Sequence, residues 1–164
     1  MNNIYLSIGS NIGNRLNNIN KSISLLKEND MVILKQSSIY LTEPKGYIKQ
    51  IDFYNIVVLI STNLDIDNFY LVIRKIEISI GKKENHFQNR PRIIDIDILT
   101  FGSEVIENTT LTVPHARLNQ RKFVLIPWNE IDSTFIVPLL NKTVFSLLNA
   151  VDDSSKVCKL LVSK

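Results

Sequence analysis

Apolar and polar residues change their period several times along this chain, and each change marks an element. Residues 3–8, NIYLSI, form a short apolar run ended by Gly9, as a buried strand would be. From Ile12 onward, apolar residues recur at Leu16, Ile19, Ile23 and Leu26. Those steps of three and four predict a helix, with Ser10 or Asn11 as its N-cap. Residues 32–41, VILKQSSIYL, predict a second strand, and residues 53–62, FYNIVVLIST, the strongest strand of the chain. Between them, residues 42–52 carry Pro44, Gly46 and lysines and read as a loop. Asp65 or Asp67 caps a second helix with apolar positions Phe69, Val72, Ile73, Ile76 and Ile80, and Gly81 ends it. A polar loop, KKENHFQNRP, leads into a strand over residues 92–101.

The resulting order, β-α-β-β-α-β, is the split βαβ, ferredoxin-like plan of an α+β fold, with both helices on one face of an antiparallel sheet. The other face is expected to stay free for ligands. A short hairpin, a helical stretch near residues 119–131 and a last helix near 143–150 form a C-terminal α/β extension. Without a repeat, a low-complexity segment or a linker-like shift in composition, residues 1–164 read as one domain.

Residues 91–99, PRIIDIDIL, place Asp95 and Asp97 inside a run of isoleucines. On a strand the two carboxylates share one face while Ile94, Ile96 and Ile98 fill the other. Two like charges on one strand face repel, and something must offset them. Water does so if this is a solvated acidic face. A hard cation such as Mg²⁺ also does so, since it takes one or two carboxylates and completes its shell with water and phosphate oxygens.

Composition narrows the choice. With 45% hydrophobic and 21% charged residues, the chain is an ordinary globular protein with a genuine core. Its longest aliphatic run, residues 56–60, is far too short to span a membrane, and residues 1–11 lack the pattern of a signal peptide. A cytoplasmic protein is expected. Cys158 is alone and only His86 and His115 are present, so a thiolate or histidine zinc cluster is excluded and any metal is expected to be oxygen-ligated. A net charge of +3 permits an anionic partner without demanding nucleic acid. Four arginines, Arg90, Arg92, Arg117 and Arg121, flank the Asp pair closely, and arginine grips phosphate bidentately. The metal and phosphate reading gains from that clustering.

Residues 5–11 (YLSIGSN), 40–46 (YLTEPKG), 53–58 (FYNIVV), 91–99 and 111–127 (LTVPHARLNQRKFVLIP) together resemble the 6-hydroxymethyl-7,8-dihydropterin pyrophosphokinase family of folate biosynthesis. The resemblance implies transfer of the β,γ-pyrophosphoryl group of ATP to the hydroxymethyl group of a reduced pterin, with release of AMP. Carried residue by residue, it implies that Asp95 and Asp97 hold two Mg²⁺ ions. Arg92, His115 and Arg121 then contact the triphosphate, and Glu77, Ile98 and Thr112 line the nucleotide site. Thr42, Pro44, Asn55 and Phe123 belong to the pterin pocket, where Phe53 stands in place of a usual tyrosine. ATP and the pterin are the expected partners of a monomer that binds neither nucleic acid nor membrane.

Residue types agree with these roles. A pterin is a flat heterocycle that wants aromatic faces and in-plane amide partners, which Phe53, Phe123 and Asn55 supply. The stretch 84–90 departs from the family pattern: Glu84, Gln88 and Asn89 stand where relatives often carry basic residues and a tryptophan. Arg90 or Phe87 is the candidate substitute for the phosphate grip and pterin cover of that loop. Gly9 and Gly13 are read as turn and packing glycines, because no phosphate-loop motif surrounds them. Cys158 is expected to be inert and Lys82, Lys83, Lys156 and Lys159 solvated. Two other classes compete. An RNA-binding module of the same element order would want alternating aromatics on its sheet rather than two aspartates. A metal-dependent nucleotidyltransferase would release pyrophosphate.

Overall fold

The computed structural model describes residues 1–44, 50–83 and 91–161. In chain order its elements begin with β1 (Asn2–Ser10), α1 (Arg15–Glu28), β2 (Val32–Gln36), β3 (Tyr40–Thr42), β4 (Phe53–Thr62) and α2 (Ile66–Ile80). After these come β5 (Asp95–Phe101), the hairpin of β6 (Ile106–Glu107) and β7 (Thr112–Val113), and α3 (Lys122–Asp132). The chain ends with β8 (Ile136–Val137), β9 (Lys142–Thr143), α4 (Val144–Ala150) and β10 (Val157–Lys159). One sheet runs in the order β10-β3-β4-β1-β5, with β2 also on β4, and its pairs are antiparallel.

The strand period sorts the core into two layers. Ile4, Leu6 and Ile8 of β1, Ile56, Val58 and Ile60 of β4, and Ile96 and Ile98 of β5 pack against Ile19 and Leu26 of α1 and Phe69, Ile73 and Ile76 of α2. The alternate residues Tyr5, Val57, Leu59 and Leu99 pack under Val124, Leu125 and Trp128 of α3 and Val144 and Leu147 of α4. A register shift opposite Tyr5 and Leu6 adds one residue to β5, which lets Leu99 stay on the α3 side while Phe101 joins the α1 and α2 side.

The second face was expected from the sequence to stay free, and most of it is instead covered. Helices α3 and α4 carry an apolar stripe that must be buried, and they cover one end of it. Among the described residues, the end bearing Ser7, Gly9, Phe53, Asn55, Asp95 and Asp97 lines a cleft.

Local differences have local causes. The predicted strand over 32–41 is two strands, because the Ser37 hydroxyl takes the Val57 N–H at 3.0 Å while the Ser37 N–H binds the Val57 carbonyl at 2.9 Å. The first helix is capped by Asn14, whose side chain accepts the Asn17 N–H at 3.0 Å, and not by Ser10 or Asn11. Gly13, at φ +65°, makes the turn between strand and cap. Asp65 caps α2 and Gly81, at φ +120°, ends it, as predicted. Strand β10 is unpredicted: three residues of mixed polarity acquire strand character only by pairing with β3.

Candidate active site

The open end of the sheet is built by register. Gly9 sits between Asn55 of β4 and Asp95 of β5, and Ser7 sits between Val57 and Asp97. Thr42 faces Phe53 from β3. The start of α3 brings Arg121 and Phe123 over this floor, and the loop after β7 brings His115 and Arg117. Glu43, Gln50 and Arg92 complete the cleft.

The side chains of Thr42 and Asn55 give the cleft floor a polar, uncharged stretch. Asn55 is 4% exposed and its Nδ2 donates to Thr42 Oγ1 at 2.6 Å. A Cβ on Gly9 would collide with Asn55 Oδ1, so the glycine is there to let the amide lie flat on β1. Phe53 and Phe123 line the same space.

At the other end the two aspartates each have their own cations. Asp95 accepts Lys82 Nζ on Oδ1 at 2.7 Å and Arg92 Nη1 on Oδ2. Burial pushes the Asp95 carboxyl up, and Lys82 and Arg92 together outweigh it and hold the group below the usual carboxylate range. Asp97 Oδ2 accepts Arg121 Nη1 at 2.6 Å and lies 3.8 Å from His115 Nε2. Burial lowers the His115 pKa, with Arg121 and Arg117 adding to it, against the opposing pull of Asp97. The ring's Nδ1 accepts the Arg117 N–H at 3.1 Å, which leaves Nε2 as the nitrogen turned to Asp97.

A second groove runs along the outer edge of β5 and shares Asp97, His115 and Arg117 with the first. It is lined by Ile98 and Thr112 together with Tyr70 and Arg74 of α2. The site residues expected from the sequence thus fall into two joined grooves, with two exceptions. Glu77 lines neither. It is 1% exposed on the helix side of the sheet and accepts Lys82 Nζ at 2.5 Å, Arg74 Nη1 at 2.8 Å and the Ile96 N–H at 2.8 Å. Burial, the largest influence, raises its pKa despite those partners. Pro44 is half-buried at the cleft's margin and is not part of its lining, and residues 45–49 after it lie outside the described residues.

Lys82 was expected in solvent and is instead 12% exposed, because the turn at Gly81 folds it back and its N–H bonds the Glu77 carbonyl at 3.0 Å. Lys159, also expected to be solvated, is half-exposed and pairs with Glu130 at 2.7 Å. Cys158 is exposed. The atypical stretch 84–90, with Glu84, Phe87, Gln88, Asn89 and Arg90, lies outside the described residues. Gly9 was readable only as a turn residue, although its place two residues after Ser7 on one strand face is the signal that it floors the cleft.

Known proteins resemble this chain over most of its length. A 2-amino-4-hydroxy-6-hydroxymethyldihydropteridine pyrophosphokinase of Aquifex aeolicus is 40% identical over 139 residues, covering 85% of this chain and 86% of that protein. The protein of that name from Bacillus subtilis is 41% identical over 133 residues, covering 80% and 79%. The folic acid synthesis protein FOL1 of Dictyostelium discoideum is 37% identical over 140 residues, but this chain spans only 21% of its length. Among solved structures, the Plasmodium falciparum HPPK-DHPS S436F/A437G/A613T triple mutant with pteroate shares the fold with a TM-score of 0.72 at 18% identity, over 90% of this chain and 43% of that one. Residues 5–133 match the family model of 7,8-dihydro-6-hydroxymethylpterin-pyrophosphokinase (HPPK), so that most of the chain, including both grooves, belongs to that family.

Proposed function

We propose that this chain transfers the β,γ-pyrophosphoryl group of ATP to the hydroxymethyl group of 6-hydroxymethyl-7,8-dihydropterin, giving AMP and the pterin diphosphate of folate synthesis. The observation that carries this reading is the joining of two unlike sites. An amide and hydroxyl pair, Asn55 and Thr42, stands beside Phe53 and Phe123 in the same cleft as Asp95, Asp97, Arg92, His115 and Arg121. Asn55 and Thr42 read the polar edge of the pterin, and the two phenylalanines cover its ring. The Ile98 and Thr112 groove takes the nucleotide, whose phosphates then run past His115 and Asp97, where the two grooves meet.

Phosphoryl transfer depends on positioning and charge neutralisation more than on covalent chemistry. Arg92 and Arg121 hold their guanidiniums between a carboxylate and the cleft, in reach of phosphate oxygens. His115 offers its Nε2 to the same space. The donor set fits a hard cation that takes few protein ligands. Asp95 and Asp97 share one strand face at the cleft. A cation here takes its remaining positions from water and phosphate, as Mg²⁺ does. Asp95 and Asp97 are the residues that would hold two Mg²⁺ ions, which supply charge neutralisation and a more acidic attacking hydroxyl.

The strand order, with β4 between β3 and β1 and with β5 outside β1, supports the ferredoxin-like plan for the sheet. The chain acts as a single-domain monomer in the cytoplasm. No helix of the described residues is long and apolar enough to cross a membrane.

The test is a product analysis with purified protein, Mg²⁺, ATP and 6-hydroxymethyl-7,8-dihydropterin, followed by phosphorus NMR. AMP and pterin diphosphate in equal amounts are expected. Release of free pyrophosphate, or intact ATP in a folded sample, overturns the assignment.

A further inference from the structure

Helix α3 starts on a residue that cannot cap it. Arg121 holds the N-cap position, where serine, threonine, aspartate or asparagine ordinarily accepts a first-turn N–H, and its side chain makes no capping bond. A guanidinium has no acceptor to offer, and this one is turned to Asp97 at 2.6 Å. Phe123, in the same turn, lines the cleft as Arg121 does. No acidic residue stands in that turn to meet the helix dipole. The site has therefore taken for itself the position that should have secured the helix end.

The missing group comes from near the other end of the chain. Asp153 Oδ2 accepts the Lys122 N–H at 3.0 Å. Its Oδ1 accepts the Ser155 N–H at 3.1 Å and the Ser155 hydroxyl at 2.6 Å, which fixes the orientation of the carboxylate. The segment that carries Asp153 is tied in turn to another part of the cleft lining. The Lys156 N–H donates to Glu43 Oε2 at 3.0 Å, the Glu43 N–H donates to the Lys156 carbonyl at 3.2 Å, and Val157 pairs with Thr42. Residues 153–157 lie beyond the stretch 5–133 that matches the family model, and none of them lines the cleft.

We infer that Asp153 is a positioning residue for the reaction: it caps α3 from outside the helix and so holds Arg121 and Phe123 over the cleft, while the Arg121 side chain stays available to the site. This rests on the function proposed above. A carboxylate suits the place twice, as an acceptor for an orphan N–H and as a negative charge at the positive end of a helix. Without it the Lys122 N–H loses its partner, and fraying begins at the two residues that the site uses.

The experiment compares wild type, Asp153→Ala, Asp153→Asn and Ser155→Ala as full chains. It combines steady-state kinetics, hydrogen exchange at the Lys122 amide and the emission of Trp128, the single tryptophan, which is buried on α3. Asp153→Ala is expected to speed exchange at Lys122 and to lower kcat/KM for each substrate by about 3- to 30-fold, the range that loss of a cap covers. Trp128 emission should not change, because the body of α3 stays packed. Asp153→Asn keeps an acceptor for the Lys122 N–H and should recover most of the loss. Ser155→Ala, at a partly exposed position, frees the carboxylate to turn and should fall between.

A tie that serves only to anchor the C-terminal segment would leave the kinetics of the folded protein at wild-type values. Such kinetics in Asp153→Ala overturn the inference, as does unchanged exchange at Lys122 or a failure of Asp153→Asn to recover activity. In each of those cases the wild type still makes AMP and the reaction stands. A wild-type protein that makes no AMP overturns both. If Asp153→Ala does not fold, Ser155→Ala decides, and wild-type kinetics in that variant overturn the inference.

Discussion

Replacing Gly9 by alanine tests the floor of the cleft with a single methyl group. The added Cβ would collide with Asn55 Oδ1 and lie 3.5 Å from Asn55 Cγ and 3.8 Å from Phe53 Cδ1. Gly9 is on β1, held between β4 and β5 on both sides, so the strand cannot back away. The amide must move instead, and its bond to Thr42 Oγ1 at 2.6 Å must break. Thr42 and Asn55 are 2% and 4% exposed, so the freed groups reach little water even at the cleft. Leaving a buried polar group unpaired costs about 1–3 kcal/mol. Stability should fall by about that much in a urea titration with an unchanged slope. Pterin affinity, which needs the Asn55 amide in place, should fall by about 5- to 150-fold. Affinity for an ATP analogue should stay near wild type, because the nucleotide groove lies beyond β5. Wild-type pterin binding by Gly9→Ala would refute the role of Asn55, and an equal loss of both ligands would refute the division of the cleft.

Asp95→Asn and Asp97→Asn should each lower AMP formation by at least about a thousandfold at saturating Mg²⁺, as loss of a metal and charge-organising group does; near-normal kcat in either would remove it from the site. Trp128, fully buried on α3 against Tyr5 with ring centroids 5.0 Å apart, should cost about 3–5 kcal/mol on change to alanine, measured by chemical denaturation. Burial, with Glu130 beside it, pushes the Tyr40 phenol up to about 12. A folded pKa above the unfolded value near 10 means that this contribution to stability is complete below pH 10 and is lost as pH rises toward 12. The ultraviolet difference titration of wild type against Tyr40→Phe should show that late ionisation, and Glu130→Gln should bring it to lower pH.

What the sequence made legible follows from which contacts are local. The alternation of Ile94, Ile96 and Ile98 with Asp95 and Asp97 is a property of one strand, and the isoleucines are 0%, 6% and 5% exposed as it requires. The cap at Asp65 and the stop at Gly81 are equally local. The break at Ser37 was hidden because its cause, the N–H of Val57, comes from another strand. Strand β10 was hidden for the same reason. Asn11 read as a helix cap because its side chain type suits one, and only the approach of residues 50–51 and 92 shows a different use. Lys82 read as solvated because a Gly-Lys-Lys run after a helix normally is. Its burial depends on Glu77 and Asp95, which belong to two other elements.

The charge arrangement explains why two aspartates on one face do not destabilise β5 before any substrate arrives. Asp95 is met by Lys82 and Arg92, Asp97 by Arg121, and Glu77 beneath them by Lys82 and Arg74. Among the described residues, these three carboxylates are met by four cations, so the unliganded site holds no uncompensated carboxylate among them. A triphosphate bound as proposed would reverse that balance, and divalent cations held by the two carboxylates would restore it. Arg92 and Arg121 would then be free to turn from Asp95 and Asp97 to phosphate oxygens, for which a guanidinium offers a bidentate fork. On the proposed function the same cations would serve the free protein as counter-ions and, once exchanged, hold the nucleotide. A lysine in place of Arg121 would keep the first function and weaken the second, because an ammonium balances Asp97 but lacks the planar fork that grips phosphate. Arg121→Lys should therefore leave thermal stability close to wild type while raising the KM for ATP, and a matching loss of both would show that Arg121 acts only as a structural counter-ion.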